Sequence, residues 1–291
     1  MTHAILIMLT LAACFGIQSL ALRAVGGRTA KSESNYFSSL GRIQAGAVGK
    51  PEAMLLGSSI TGRLPDRAQG FEGFANMGCD GGCAVDTLRA MDRGLLPVAP
   101  ILLIEANTLQ RALDPIPSQV GSAMKRPWFQ AGMRIPAISA YARPSAFLYS
   151  ILLAKKIGGF GDPESADDLR VSSHPVRLTA LSATNISPNE QALVGELVPL
   201  LQRLQEKGCR IVFVWLPPGR GANSPVPPYI AAMVGQSGCE WWDLGTEADP
   251  SLVVLTDGVH MAAPSAARTS RSLKRIFSLP GNTPKDLPES P

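Results

Sequence analysis

The sequence predicts an α/β fold: a three-layer α/β/α sandwich around a mostly parallel five-stranded sheet, preceded by an apolar helix. Residues 53–56, 101–104 and 211–216 are short runs without polar alternation, the pattern of strands buried on both faces. Helix-like segments separate them, and strands that alternate with helices imply a parallel sheet covered on both sides. At 291 residues, 45% hydrophobic and 17% charged, the chain has material for a sizeable core, which excludes disorder. Its length fits one large domain with decoration.

Residues 4–22 carry no charge and only Thr10, Gln18 and Ser19 as mildly polar positions. As a helix they span about 28 Å, enough for a bilayer core or a signal sequence. Three fates fit: a retained signal anchor over 1–23, a signal peptide cut after Ser19-Leu20-Ala21, or lipidation at Cys14 in Leu11-Ala12-Ala13-Cys14, which resembles a bacterial lipobox. The anchor is the first choice, because apolar residues follow Cys14 where a lipoprotein has a polar tether. The expected location is therefore membrane-anchored or exported, in the periplasm or cell envelope. Arg23, Arg28 and Lys31 follow the apolar run and pull against export of the body by the positive-inside tendency.

Residues 24–50 read as a juxtamembrane linker with one short helix over 36–47, and the body begins near Pro51. The run 53–56 ends at Gly57, residues 88–96 are helix-like, and 101–104 is the next strand. Residues from about 110 to 175 loosen into a Pro-, Arg- and aromatic-containing stretch with a helix over 145–157, an insertion over one end of the sheet. Ser187-Pro188-Asn189-Glu190 is a capping box with Pro at the first helical position. It opens an amphipathic helix through Leu193, Leu197, Leu200, Leu201 and Leu204 that stops near Gly208. The strand 211–216 closes at Pro217-Pro218, a shorter one covers 240–244, and 279–291 is a disordered tail by composition.

Lys and Arg number 27 against 23 Asp and Glu, a net charge of +4 scattered along the chain, which argues against a nucleic-acid partner. No Walker-type loop or strand-linked GxGxxG is present, so nucleotide binding on this α/β pattern is not expected. Five cysteines are too few for a disulfide scaffold. Cys79 and Cys83 lack the second pair that a zinc site needs, which leaves a local disulfide or two buried thiols. No metal or cofactor is expected. Trp241-Trp242 reads as half core and half surface rather than a carbohydrate platform. Arg63 reads as a helix-surface charge or a contact for an anionic substrate, and Lys155-Lys156 as a solvated helix end.

General-base chemistry near neutral pH usually uses histidine, and the chain has three. His3 is in the leader and His174 in a loop-like Ser-Ser-His-Pro. His260 lies in Thr256-Asp257-Gly258-Val259-His260, where a turn at Gly258 lets Asp257 fold back onto the imidazole. A serine nucleophile needs an exposed turn at the carboxyl end of a strand, and Gly57-Ser58-Ser59-Ile60-Thr61 after 53–56 supplies one.

These segments resemble the SGNH hydrolases, or GDSL-type esterases and lipases, whose first block Gly-Asp-Ser-Ile-Thr is similar to Gly57-Ser58-Ser59-Ile60-Thr61. The block Asn-x-Gly-x-x-Gly is matched by Asn76-Met77-Gly78-Cys79-Asp80-Gly81, the Gly-x-Asn-Asp block in part by Glu105-Ala106-Asn107-Thr108, and Asp-x-x-His by residues 257–260. The resemblance covers about residues 51–276, outside the insertion. It implies a flavodoxin-like sandwich, Ser59 as nucleophile with His260 and Asp257, and an oxyanion hole of the Ser59 and Gly78 N–H groups and the Asn107 side chain. Ser58 stands where the family has Asp, Glu105 where it has Gly and Thr108 where it has Asp. The implied activity is a serine esterase acting on an ester substrate, an acylated carbohydrate being one option. An O-acyltransferase modifying envelope polysaccharide and a catalytically silent carbohydrate-binding or assembly protein are the alternatives.

Overall fold

A computed structural model describes residues 2–24, 36–115, 119–143, 160–161, 168–169, 186–219 and 225–278. The helix expected over 145–157, Lys155-Lys156, His174 and the tail 279–291 lie outside these residues. Five strands, β1 (Ala53–Leu56), β2 (Phe74–Asn76), β3 (Ile101–Glu105), β4 (Arg210–Trp215) and β5 (Glu240–Asp243), form one sheet in the order β2-β1-β3-β4-β5. Every pairing is parallel, with Leu56 opposite Ile104 and Ile104 opposite Phe213. The order reverses at β1, so the loops after β1 and β3 diverge there and leave a crevice at the carboxyl edge.

Strand side chains alternate between two separate apolar clusters. Met54, Leu56, Leu102, Ile104, Ile211 and Phe213 face one, with α2 (Tyr36–Ala47), α4 (Val85–Asp92), α7 (Pro188–Glu206) and α8 (Pro228–Ser237). Ala53, Leu55, Leu103, Val212 and Val214 face the other, under α10 (Ala263–Ser278). Each Leu, Ile or Val so buried contributes about 1.5–3 kcal/mol. Both faces being covered also corrects the expectation for Trp241 and Trp242: each is 2% exposed, one in each cluster. The capping box at α7 forms as read, with the Ser187 N–H donating to Glu190 at 2.8 Å and the Glu190 N–H to Ser187 Oγ at 3.4 Å.

The helix expected in the linker is part of the body. Leu40 and Ile43 of α2 are fully buried; in the insertion α5 (Gln119–Met124) packs on α2 and α4 and α6 (Pro127–Arg134) on α2, while Leu169 is buried in the other cluster. Gln44 joins α2 to the insertion, donating to Phe129 O at 2.8 Å and accepting from Ala140 N at 2.7 Å. At the N-terminus, α1 (Thr2–Ala24) is exposed along most of its length, and over His3–Ala21 it is long and apolar enough to cross a membrane. Its C-terminal part lies against the 3₁₀ turn Pro136–Ile138, and Gln18 donates to Ala142 O at 2.9 Å.

Candidate active site

The turn after β1 places Ser59 at the start of α3 (Ser59–Gly62), with Ser58 as its cap, the Ser58 hydroxyl accepting from Ile60 N. Two hundred residues later, the loop between Leu255 and Met261 is closed by an antiparallel bridge and by Thr256 N donating to His260 O at 2.7 Å. Asp257 Oδ1 caps this turn, accepting from Val259 N at 3.1 Å and His260 N at 2.8 Å. Its other oxygen is then left 2.7 Å from His260 Nδ1, while Nε2 of the same ring lies 2.9 Å from Ser59 Oγ. Ser59, His260 and Asp257 thus form one continuous hydrogen-bonded chain.

Two contacts hold the distant segments together. Ser270 Oγ on α10 donates to Pro65 O at 2.8 Å, and the Arg63 guanidinium is 3.7 Å from Asp257 and 3.3 Å from Thr256 Oγ1. Arg63, read as a surface charge or substrate contact, therefore also borders the acidic end of the chain. Desolvation works to raise the Asp257 pKa, but hydrogen bonds from the His260 N–H, the His260 ring and the Val259 N–H outweigh it and bring the carboxyl down to about 2. The side chain is an anion throughout the neutral range.

Glu105, at the end of β3, is the residue that sequence reasoning left without a role. It is fully buried and accepts from Ser58 N and Ser58 Oγ at 2.8 Å each, Thr61 Oγ1 at 2.6 Å and Thr108 Oγ1 at 2.9 Å. One carboxyl group thus fastens the nucleophile turn to the neighbouring strand. The signal was present in the sequence as two departures of opposite sense: an acid missing at 58 and an acid gained at 105.

The Asn76 side chain is equally engaged. Its amide donates to Thr61 O at 2.6 Å and Leu64 O at 2.7 Å, tying the second loop to the first. Its oxygen accepts from Gly78 N at 2.9 Å, which corrects the assignment of Gly78 as an oxyanion donor, since a backbone amide has one hydrogen and this one is bound. Gly78 is required for a different reason: a Cβ there would meet Gly62 N at 2.4 Å and Ser58 O at 2.7 Å, so only glycine lets the loops approach. The N–H groups of Cys79, Asp80 and Gly82 are bound to Gly57 O, Ser39 Oγ and Cys79 O. Gly81 N–H has no partner among the described residues. Gly81 is exposed, at a φ of +74°.

From α2, Arg42 reaches the same loop, donating to Gly78 O at 2.6 Å and pairing with Asp80 at 3.2 Å, both side chains 4% exposed. Burial works to lower the Arg42 pKa, but Asp80 more than offsets it and the guanidinium is raised above its ordinary value. Cys79 and Cys83 are free buried thiols, the second of the two readings, and desolvation pushes each up to about 12. Asn107 is half-buried beyond β3. One of its amide hydrogens goes to Leu216 O at 2.8 Å and its oxygen accepts from Leu216 N at 2.8 Å, which fixes the plane of the amide and leaves the second hydrogen for another acceptor. No group of three or more His, Cys, Asp and Glu side chains suited to a metal ion occurs among the described residues. Comparison with family models, with curated proteins and with solved structures finds no match to this chain.

Proposed function

We propose that this chain is a membrane-tethered serine esterase, an acyl-hydrolase of the SGNH type that works through an acyl-enzyme. The observation that carries the reading is the Ser59–His260–Asp257 chain, with spacings of 2.9 and 2.7 Å between segments two hundred residues apart. A carboxylate only accepts hydrogen bonds, so Nδ1 carries the imidazole proton and Nε2 is left to accept from the Ser59 hydroxyl. The strand order β2-β1-β3-β4-β5, with Ser59 following β1 at the switch point, supports the flavodoxin-like fold that the resemblance implies.

In this mechanism Ser59 Oγ attacks the ester carbonyl carbon as its proton passes to His260 Nε2. The oxyanion is met by Ser59 N–H and the free hydrogen of Asn107. Each such donor contributes about 2.7–4 kcal/mol to the transition state. His260 then protonates the leaving alcohol, and the same ring deprotonates the water that releases the acid from Ser59. Arg63 and Glu105 touch no reacting atom; they position Asp257 and the Ser59 turn.

A fluorophosphonate probe tests this directly. We expect labelling at Ser59 that is lost in Ser59→Ala, together with hydrolysis of p-nitrophenyl acetate that is lost in His260→Ala. Folded wild-type protein that takes no label would overturn the reading in favour of the binding protein. Transfer of the acyl group to an added glycan in preference to water would redirect it to the acyltransferase.

A further inference from the structure

A second site lies away from Ser59, where a cavity of about 520 Å³ opens between the end of α1, α2 and α6. That volume is in the range of small-ligand pockets. Three guanidinium groups line it: Arg23, Arg67 and Arg134. Arg67 donates to the carbonyls of Ala45, Gly46 and Val48 at the C-terminal end of α2, which holds it in place. Arg23 and Arg134 are exposed and make no ion pair or hydrogen bond among the described residues. The acid on the wall, Asp66, is 1% exposed and turned toward the N–H groups of Ala68 and Asn76.

The Ser139 hydroxyl on the wall is closed to solvent, so the donors that face the cavity are guanidinium groups. Guanidinium groups with no partner of their own are the donor set for a phosphate.

The position of the cavity selects the source of that phosphate. Arg23 follows directly on the apolar stretch His3–Ala21. In a helix that crosses the bilayer, the first arginine beyond the apolar run lies at headgroup depth, and the cavity it lines lies there too. Val48 and Ile135, 47% and 48% exposed, add apolar contact beside it. We infer that this cavity binds the phosphate of an anionic phospholipid, held by Arg23 and Arg134 with Arg67 as a fixed neighbouring charge. The inference rests on the membrane reading of α1 and is independent of the chemistry at Ser59.

The test uses the full chain in neutral detergent, its thermal midpoint followed against dihexanoyl-phosphatidylglycerol, dihexanoyl-phosphatidylcholine and inorganic phosphate. Phosphatidylglycerol should raise the midpoint saturably, and the other two should not. Arg134→Gln and Arg23→Gln should each weaken the phosphatidylglycerol response about tenfold while leaving the lipid-free midpoint unchanged. Equal stabilisation by phosphatidylcholine, or variants that respond like the wild type, overturns the site. An equal response to inorganic phosphate overturns the lipid assignment. Intact mass and carbonate extraction report α1 separately, and p-nitrophenyl acetate hydrolysis reports Ser59, so failure of either parent reading is distinguishable from failure here.

Discussion

At Asp257 two opposed effects meet in one exposed carboxylate, and the hydrogen bonds win. Its pKa is about 2 in the fold against an ordinary 3.8, so its contribution to stability is present above about pH 4 and is lost as the pH falls toward 2. The side chain is 47% exposed, so solvent and salt screen the effect. Thermal unfolding should therefore show wild type losing slightly more stability than Asp257→Asn over that interval at low salt; parallel curves would mean that the turn does not depend on the charge. The same substitution offers Nδ1 an amide instead of a carboxylate, and kcat for p-nitrophenyl acetate should fall by about ten-thousand-fold. Glu105 calls for a different readout. Glu105→Gln puts an NH₂ group among donors, and a buried mismatch of this kind costs about 1–3 kcal/mol, measurable by denaturant unfolding. Wild-type stability in that variant would show that the Glu105 hydrogen bonds are not what holds the Ser59 turn. Ser59, Asp257 and His260 were legible because their motifs are local. The role of Glu105 was not, because it depends on which strand lies beside β1.

Among the elements, α2 shows how a segment that reads as a linker can belong to the site. Its sequence Tyr-Phe-Ser-Ser-Leu-Gly-Arg-Ile-Gln-Ala-Gly-Ala has few large apolar residues, yet nine of its twelve positions are buried, because small residues let it pack closely against the insertion and the second loop. Arg42→Ala would leave Asp80 buried without a partner, at a cost of about 3–5 kcal/mol. Arg42→Lys keeps the charge but loses the planar fork that spans Gly78 O and Asp80. The lysine variant should fold and lose about tenfold in kcat with KM unchanged; wild-type turnover would remove α2 from the account of the loop. Similar packing explains what periodicity missed. The buried side of α10 is built from Ala, Ser and Thr until its last turns, including Ser265, Ala266, Thr269 and Ser270, so large apolar residues mark it only at Leu273, Ile276 and Phe277. The strand β2 is three residues long and ends on the buried polar Asn76, so it forms no apolar run. By contrast, β1, β3, β4 and β5 were readable to within a residue or so at each end, since a strand covered on both faces keeps its polar residues, such as Glu105, Arg210, Glu240 and Asp243, at its ends.

For the molecule as a whole, the question that burial answers is where the folded body starts. Sequence composition places the boundary near Pro51, whereas Leu40, Ile43 and Arg42 are buried at or below 3% exposure and connect the sheet to the insertion. Removing α2 would uncover the Phe129 and Tyr141 side chains and strip Asp80 of its counter-charge. Deleting a single large aliphatic core side chain costs about 2–5 kcal/mol, so losing a whole core helix exceeds the 5–15 kcal/mol that holds a domain together. A chain beginning at Gly26 should therefore be soluble without detergent, unfold cooperatively and retain fluorophosphonate labelling at Ser59. A chain beginning at Pro51 keeps every proposed catalytic residue but should aggregate on expression and take no label. If the shorter chain instead folded and labelled like the longer one, α2 would be an accessory to the body, and its hold on the Gly78 loop could not be what shapes the site.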